Sequence, residues 1–178
     1  MIRKFMPNAI AADVESIDYE KLWQMGYQAL IFDIDNTLVP HGADATPQIE
    51  TLMRRLRNMG FRIVLLSDNN RARVRNFNRH LHLPYIHDAH KPSPRAYRKA
   101  LQMMNHSAKE TVVIGDQIFT DILAASRARI ASILVRYPGY KNRKWPGWRR
   151  LIESALLPLR TWLPKRPNLT SAIIRQDP

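Results

Sequence analysis

Apolar runs of strand length alternate along the chain with segments whose apolar residues recur every three or four positions. Runs of the first kind predict buried strands, and segments of the second kind predict amphipathic helices. The predicted strands are residues 29–33, 61–67, 111–115 and 132–135, with a short extended piece at 85–86. The predicted helices begin at Ser16 or Asp18, at Thr46-Pro47, near Val74, at Ser93-Pro94 and near residue 120. Residues 1–15 show no clear period.

Strands that alternate with helices predict right-handed crossovers, and therefore a parallel sheet covered by helices on both faces. In such sheets, ligands bind at the carboxyl ends of the strands. Polar side chains follow three of the predicted strands at that point. They are Asp33 with Asp35, then Ser67, then Asp116. We expect these side chains to meet at one edge of the sheet.

The size and composition indicate one globular domain, because the chain has 178 residues and 45% of them are hydrophobic. We assign residues 1–140 to that domain. Residues 141–178 form a basic, tryptophan-containing segment that is either part of the domain or a membrane-facing appendage. The absence of cysteine excludes disulfides, thiolate metal sites and cysteine nucleophiles. We expect a cytoplasmic protein, because the N-terminal residues do not resemble a secretory signal.

The net charge of +13 predicts an anionic partner: nucleic acid, an anionic membrane surface or a phosphorylated substrate. From Arg136 onward the chain has ten Lys or Arg and only two acidic residues. In this segment Trp148, Leu151 and Ile152 share one helical face, a pattern typical of an amphipathic helix at an anionic lipid surface. A helix packed back on the sheet fits that pattern equally well.

The ordered motifs between residues 29 and 121 resemble those of the haloacid dehalogenase (HAD) superfamily of aspartate-dependent phosphohydrolases. They are Asp33-Ile-Asp35-Asn-Thr37 after a strand, Ser67 after a strand, Lys91 before a helix, and Gly115-Asp116 with Asp121. Any one of them is weak alone, although DxDxT after an apolar strand is fairly specific. The resemblance implies a HAD-like Rossmannoid fold, a three-layer α/β/α sandwich with a central parallel sheet.

The resemblance also implies catalytic roles. Asp33 would be the nucleophile that attacks phosphorus and forms an aspartyl-phosphate. Asp35 would be the general acid/base, with a pKa above that of a metal-bound Asp33. Ser67 and Lys91 would bind the oxygens of the transferred phosphoryl group.

The cofactor implied by the resemblance is Mg²⁺, which prefers oxygen ligands. Its ligands would be Asp33, the backbone carbonyl of Asp35, and Asp116. Asp121 would either bind the metal directly or support it from a second layer or through water. Asp68 is an extra acidic residue beside Ser67, and we expect it to face water.

The spacing of the motifs leaves no room for a cap, the additional domain that covers the active site in many HAD enzymes. The intervals from Asp33 to Ser67 and from Ser67 to Lys91 each hold about one helix and one strand. This resembles the capless HAD class (IIIA), and an open site suits a large or surface-presented phosphate. Candidates for contacting substrate phosphate or an anionic surface follow the second motif, although each arginine is also typical of a solvated helix. They are Asn69, Arg71, Arg73 and Arg75.

Taken together, the short, basic, capless chain and its Asp-Asn-Thr-Leu-Val and Gly-Asp-Gln-x-x-Thr-Asp motifs resemble the YqeG-like subgroup. That subgroup is related to the mitochondrial phosphatidylglycerophosphate phosphatases. The resemblance implies conversion of phosphatidylglycerophosphate to phosphatidylglycerol, by a protein peripheral to the inner face of the membrane. Two alternatives stay open: a HAD phosphatase for a nucleotide, phosphoprotein or sugar phosphate, and a basic RNA- or ribosome-binding protein with a vestigial site. Nucleic acid is the less favoured partner, because the sequence has no recognised RNA-binding motif.

Overall fold

The computed structural model of the protein describes residues 2–136. The predicted boundary at residue 140 and the basic segment 141–178 lie outside the described residues, and so does the predicted amphipathic helix. Within the described part, no helix combines the length and the apolar composition that crossing a membrane requires.

Strands and helices alternate along the chain, as predicted. The strands are β1 (Ala9–Ala11), β2 (Ala29–Phe32), β3 (Arg62–Leu66), β4 (Tyr85–Ile86), β5 (Thr111–Gly115) and β6 (Ala131–Val135). The helices are α1 (Tyr19–Gln24), α2 (Pro47–Asn58), α3 (Arg71–Phe77), α4 (Arg95–Met104) and α5 (Leu123–Ala128). A 3-10 helix covers Ile2–Phe5, and a π-helical turn covers Ile118–Ile122.

All six strands form one parallel sheet in the spatial order β1-β6-β5-β2-β3-β4. Successive residues of a strand point to opposite faces, and β2 illustrates the result. Leu30 and Phe32 pack in the core cluster that includes residues of α1, α2 and α3, whereas Ala29 and Ile31 pack with α4 and α5. The predicted three-layer α/β/α sandwich is therefore confirmed.

Side-chain caps explain where three helices begin. The Asp18 side chain accepts a hydrogen bond from the Lys21 N–H ahead of α1, and Asn70 caps α3 in the same way. The Thr46 side chain accepts from the Ile49 N–H, and proline occupies the first position of α2. Such caps satisfy backbone donors that have no partner within the helix. The predicted starts at Asp18 and at Thr46-Pro47 are confirmed.

The N-terminal strand β1 was not predicted. It has only three residues, too few to show an alternating pattern, and it lies at the edge of the sheet beside β6. The Asn8 N–H donates to the Ser132 carbonyl at 2.8 Å, and the Ser132 N–H donates to Asn8 Oδ1 at 3.0 Å. A long-range pairing of this kind leaves little trace in the local sequence.

The two intervals between the first three motifs contain no separate folded unit in this described part of the chain. Residues 34–66 form a turn, a loop, α2 and β3. Residues 68–90 form α3, β4 and their connections. The edge of the sheet where β2 and β3 end therefore has no cap domain contributed by these intervals.

Candidate active site

Three neighbouring strands end side by side at the carboxyl edge of the sheet, because β2 pairs with both β3 and β5. Each of them is followed directly by a polar residue: β3 by Ser67, β2 by Asp33 and β5 by Asp116. All three side chains are buried, with exposed fractions of 2%, 7% and 9%. The structure thus brings together the residues that the sequence placed at this edge.

Asp33 has both carboxylate oxygens hydrogen bonded. The Thr37 hydroxyl donates to Oδ2 at 3.1 Å, and Lys91 Nζ donates to Oδ1 at 2.5 Å. Thr37 reaches back because the chain turns tightly after the strand, where the Leu38 N–H donates to the Ile34 carbonyl. Burial raises the pKa of Asp33 to about 7, although the Lys91 ammonium acts in the opposite direction.

Lys91 supplies one buried positive charge to two carboxylates. Its Nζ also donates to Asp121 Oδ1 at 2.8 Å, and its side chain is only 5% exposed. Burial alone would lower the pKa of Lys91, but the charges of Asp121 and Asp33 raise it well above its usual value. Lys91 is therefore a fixed cation at neutral pH.

Two contacts hold the backbone at Lys91. Asp68 Oδ1 accepts a hydrogen bond from the Lys91 N–H at 2.9 Å, and Arg127 Nη1 donates to the Pro92 carbonyl at 3.0 Å. Asp68 is exposed, as expected, but the prediction that it simply faces water was incomplete. Its carboxylate links the end of β3 to the segment that carries the lysine.

Asp121 lies fully buried on the π-helical turn, a form of helix that is frequent at functional sites. Its Oδ2 accepts from the Gln117 N–H at 3.2 Å, and its Oδ1 accepts from the Tyr97 hydroxyl at 3.3 Å as well as from Lys91. Gly115 leaves the space for this carboxylate, because a Cβ at that position would lie 2.5 Å from Asp121 Cγ.

A divalent cation fits the acidic cluster. Asp33, Asp116 and Asp121 each offer one carboxylate oxygen, and these oxygens lie within 4.8 Å of one another. The cluster combines three carboxyl groups with the single ammonium of Lys91. Carboxylate oxygens are the donors that hard cations such as Mg²⁺ prefer, so charge and donor type agree.

Asp35 is paired with Arg73 instead of Lys91. Its Oδ1 accepts from the Gly42 N–H at 2.9 Å and from Arg73 Nη2 at 3.1 Å, and its Oδ2 accepts from Asn69 Nδ2. Burial alone would raise the pKa of Asp35, but these hydrogen bonds and the Arg73 charge hold it below its usual value.

With the protein groups alone, the pKa of Asp35 is therefore below that of Asp33, the reverse of the predicted order. That prediction assumed the charge of a metal at Asp33, and it did not include the arginine partner of Asp35. The proposed ligand role of the Asp35 backbone carbonyl stays a prediction.

The candidates that follow the second motif divide into two groups. Asn69 Nδ2 donates to Ser67 Oγ at 3.0 Å as well as to Asp35, so Asn69 and Arg73 are engaged within the protein. Arg71 and Arg75 are exposed on α3, and among the described residues neither forms an ion pair. Their contact with substrate phosphate or an anionic surface stays a prediction.

The contact of the Tyr97 hydroxyl with Asp121 could not be predicted from the sequence. The helical spacing of Tyr97 predicts a core position, and the residue is indeed 1% exposed. A buried tyrosine hydroxyl usually requires a hydrogen-bond partner, and that requirement was the one signal of a polar group nearby. Which polar group it meets depends on how α4 packs beside the π-helical turn.

Comparison with protein families and with curated proteins gives several matches, of which three bear directly on the site. A family model described as haloacid dehalogenase-like hydrolase matches residues 42–129. The chain is 34% identical over 137 residues to "Probable phosphatase YqeG" of Bacillus subtilis strain 168, covering 76% of this chain and 80% of that protein. It is 25% identical over 143 residues to "Phosphatidylglycerophosphate phosphatase 1, chloroplastic" of Chlamydomonas reinhardtii, covering 74% of this chain and 52% of that protein.

Among solved structures, the chain is similar to NagD from Escherichia coli K-12. The TM-score is 0.52 with 15% sequence identity, and the match covers 67% of this chain and 94% of that chain. At that identity, the likeness concerns the fold alone. The matched family region contains Ser67, Lys91, Asp116 and Asp121, and it begins after Asp33 and Asp35.

We expect Lys91→Met to lower the free energy of unfolding by about 3 kcal/mol, because two buried carboxylates lose their counter-charge. Adding Asp121→Asn to Lys91→Met should recover at least about 1 kcal/mol of that loss, since one uncompensated charge is removed. Urea unfolding in EDTA-containing buffer measures both values.

Lys99→Met is the matched control for this prediction. Lys99 is exposed on α4, so its replacement should change the free energy of unfolding by less than about 0.5 kcal/mol. Equal losses for Lys91→Met and Lys99→Met would contradict the idea that the buried ammonium stabilises the cluster.

Proposed function

Because the chain belongs to the haloacid dehalogenase-like hydrolases and is a phosphatase, we propose that it hydrolyses phosphatidylglycerophosphate through an aspartyl-phosphate on Asp33. The observation that carries the mechanism is the position of Lys91, whose ammonium lies between Asp33 and Asp121. A phosphoryl group brought to Asp33 would therefore arrive beside a fixed positive charge. Asp35 lies two residues further on, with its carboxylate held by the protein.

The reaction has two steps at phosphorus. In the first, a carboxylate oxygen of Asp33 forms a bond to phosphorus and the bond to the ester oxygen breaks. Asp35 has to be protonated in the substrate complex, although hydrogen bonds and the Arg73 charge hold its pKa below the usual value in the free protein, and it gives its proton to that ester oxygen. In the second, water attacks the phosphorus and loses a proton to Asp35, and the bond to Asp33 breaks. The products are the free alcohol and inorganic phosphate, and both aspartates return to their starting states. Ser67 and Lys91 bind the phosphoryl oxygens in both steps.

The cofactor in this proposal is Mg²⁺. Asp33, Asp116 and the Asp35 backbone carbonyl would hold it, with Asp121 either as a further ligand or acting through water. When bound, it supplies positive charge that reduces the repulsion between the anionic substrate and the carboxylates. The carboxylate oxygens that Asp33, Asp116 and Asp121 bring within 4.8 Å of one another support this choice.

A lipid phosphate as substrate is supported by two observations. The chain is similar to a chloroplastic phosphatidylglycerophosphate phosphatase along about half of that protein's length. In addition, the described intervals between motifs contain no cap domain and so leave the edge that carries Asp33 open on their side, which supports a phosphate presented on a surface. The same openness suits other bulky phosphate esters, and these are the alternative substrates.

The proposal includes contact with the membrane surface. The basic segment 141–178 would bind anionic lipid and keep the phosphatase peripheral to the inner face of the membrane, where its substrate lies. The alternative role of this positively charged segment is to bind RNA or ribosomes in place of lipid. Absence of phosphatase activity towards every substrate tested would favour that alternative.

The proposed function is tested by phosphate release from phosphatidylglycerophosphate in mixed micelles with Mg²⁺. We expect turnover by the wild type, and we expect Asp33→Asn to reduce kcat by at least about 10³-fold, because the nucleophile is lost. EDTA should abolish the activity, and restored Mg²⁺ should return it.

Glu110→Gln is the matched control for Asp33→Asn. It makes the same carboxylate-to-amide change at the opposite edge of the sheet, directly before β5, so kcat should be unchanged. Rapid hydrolysis of nucleotides or sugar phosphates without turnover of the lipid would overturn the substrate assignment and leave the phosphatase mechanism in place.

A second prediction concerns the space above Gly115. We expect Gly115→Ala to weaken Mg²⁺ binding at least about tenfold, because the new Cβ displaces the Asp121 carboxylate. Mg²⁺ requires near-ideal octahedral geometry and tolerates such a displacement poorly. Isothermal titration with Mg²⁺ measures this directly, independently of activity.

Gly26→Ala is the control for Gly115→Ala. Gly26 has a φ of +88° and no atom within 4 Å of an added Cβ, and it lies before β2, away from the carboxyl edge. Its replacement should reduce stability through backbone strain but should not change Mg²⁺ affinity. If Gly115→Ala bound Mg²⁺ as tightly as the wild type, Asp121 would have no part in holding the metal.

A further inference from the structure

One face of α3 holds the loop that follows the first motif. Arg73 Nη2 donates to the Ala43 carbonyl at 2.6 Å, and Asn76 Nδ2 donates to Asp44 Oδ1 at 2.7 Å. In the turn that follows α3, Arg79 forms an ion pair with Asp44 at 3.4 Å. Arg73 and Asn76 are three residues apart on α3, so they share one side of the helix. We call residues 40–44 the flap loop.

The same nitrogen of Arg73 also reaches Asp35. Nη2 donates to Asp35 Oδ1 at 3.1 Å, and the Gly42 N–H of the flap loop donates to the same oxygen at 2.9 Å. The other carboxylate oxygen is occupied by Asn69 Nδ2. Donors from α3, from the flap loop and from the end of β3 therefore fix the orientation of one carboxylate.

The guanidinium of Arg73 is itself held in place and shielded. It lies over the ring of the buried Phe77, with Cζ at 5.6 Å from the ring centroid. Its other terminal nitrogen, Nη1, is buried, and only 18% of the side chain is exposed. Arg73 is thus poorly placed to contact a substrate phosphate or a membrane surface, the role that its sequence position indicated.

We propose that Arg73 is a positioning residue for the phosphatase reaction, which aims the Asp35 carboxylate at the ester oxygen by tying it to α3 and to the flap loop. The inference depends on the proposed role of Asp35 as general acid/base. Catalysis by such a group is sensitive to geometry, and a displacement of about 1 Å can cost about 10²-fold in rate. Arg73 acts on the reaction through Asp35 and does not touch the substrate.

The test compares two phosphate esters of similar size, phenyl phosphate and 4-nitrophenyl phosphate. The 4-nitrophenolate ion leaves without needing a proton, whereas the phenolate ion benefits from protonation. We expect Arg73→Ala to lower kcat/KM about 30-fold for phenyl phosphate but less than about threefold for 4-nitrophenyl phosphate. For phenyl phosphate, KM should change by less than about twofold, because substrate binding is not altered.

Arg73→Lys is the rescue variant. Because a single nitrogen of Arg73 makes both contacts, one lysine ammonium can replace it there, although the stacking on Phe77 is lost. The loss of kcat/KM for phenyl phosphate should therefore be smaller in Arg73→Lys than in Arg73→Ala. Arg54→Ala is the control for loss of charge, since Arg54 is exposed on α2. It should leave both esters unaffected. Thermal unfolding verifies that every variant is folded.

Three results would overturn the inference. A raised KM with unchanged kcat in Arg73→Ala would make Arg73 a substrate-binding residue. An equal loss for both esters would make its role purely structural, and an equal effect of Arg54→Ala would assign the loss to net charge. Failure of the underlying function is distinguishable, because then the wild type itself would release no phosphate from either ester or from the lipid.

Discussion

Compensation of buried negative charge is the constraint on which this structure depends. A hydrophobic sheet delivers carboxylates to its edge, and burying them without partners would cost several kcal/mol each. Lys91 supplies the counter-charge, since its one ammonium contacts both Asp33 and Asp121. Much of the surrounding architecture maintains that lysine: Asp68 holds its backbone, and Tyr97 contacts the same oxygen of Asp121. The cluster around Lys91 is therefore a single electrostatic unit built from four separate stretches of chain.

The two aspartates of the first motif belong to different charge systems, although only one residue separates them. Asp33 shares the lysine with Asp121 of the acidic cluster, whereas Asp35 is balanced by Arg73 and accepts a hydrogen bond from Gly42 of its own loop. This separation allows two neighbouring carboxyl groups to perform different tasks, because each responds to its own surroundings. In the sequence, Asp33 and Asp35 are two similar acidic residues, and the different partners that the fold gives them shift their pKa values in opposite directions.

The strands and the residues at their ends could be predicted from sequence because that information is local. An apolar run that stops at Asp33 or Asp116 identifies both the strand and the polar group it delivers. The contacts of Arg73 and Asp68 could not be predicted in this way, because their partners lie 38 and 23 residues away and are selected by packing. For the same reason, the sequence grouped Arg73 with Arg71 and Arg75 as candidates for contacting phosphate or an anionic surface. The strand β1 was missed because three residues carry too little pattern.

The pairing of β1 with β6 has a consequence for the growing polypeptide. Asn8 and Ser132 exchange hydrogen bonds across 124 residues of chain, so the first strand has no partner until the sixth has left the ribosome. Until then, the edges of β1 and β5 that will pair with β6 are exposed, and such edges favour association with other chains. Completion of the sheet thus coincides with the arrival of β6, and a nascent chain that pauses before residue 131 is at its most vulnerable to aggregation.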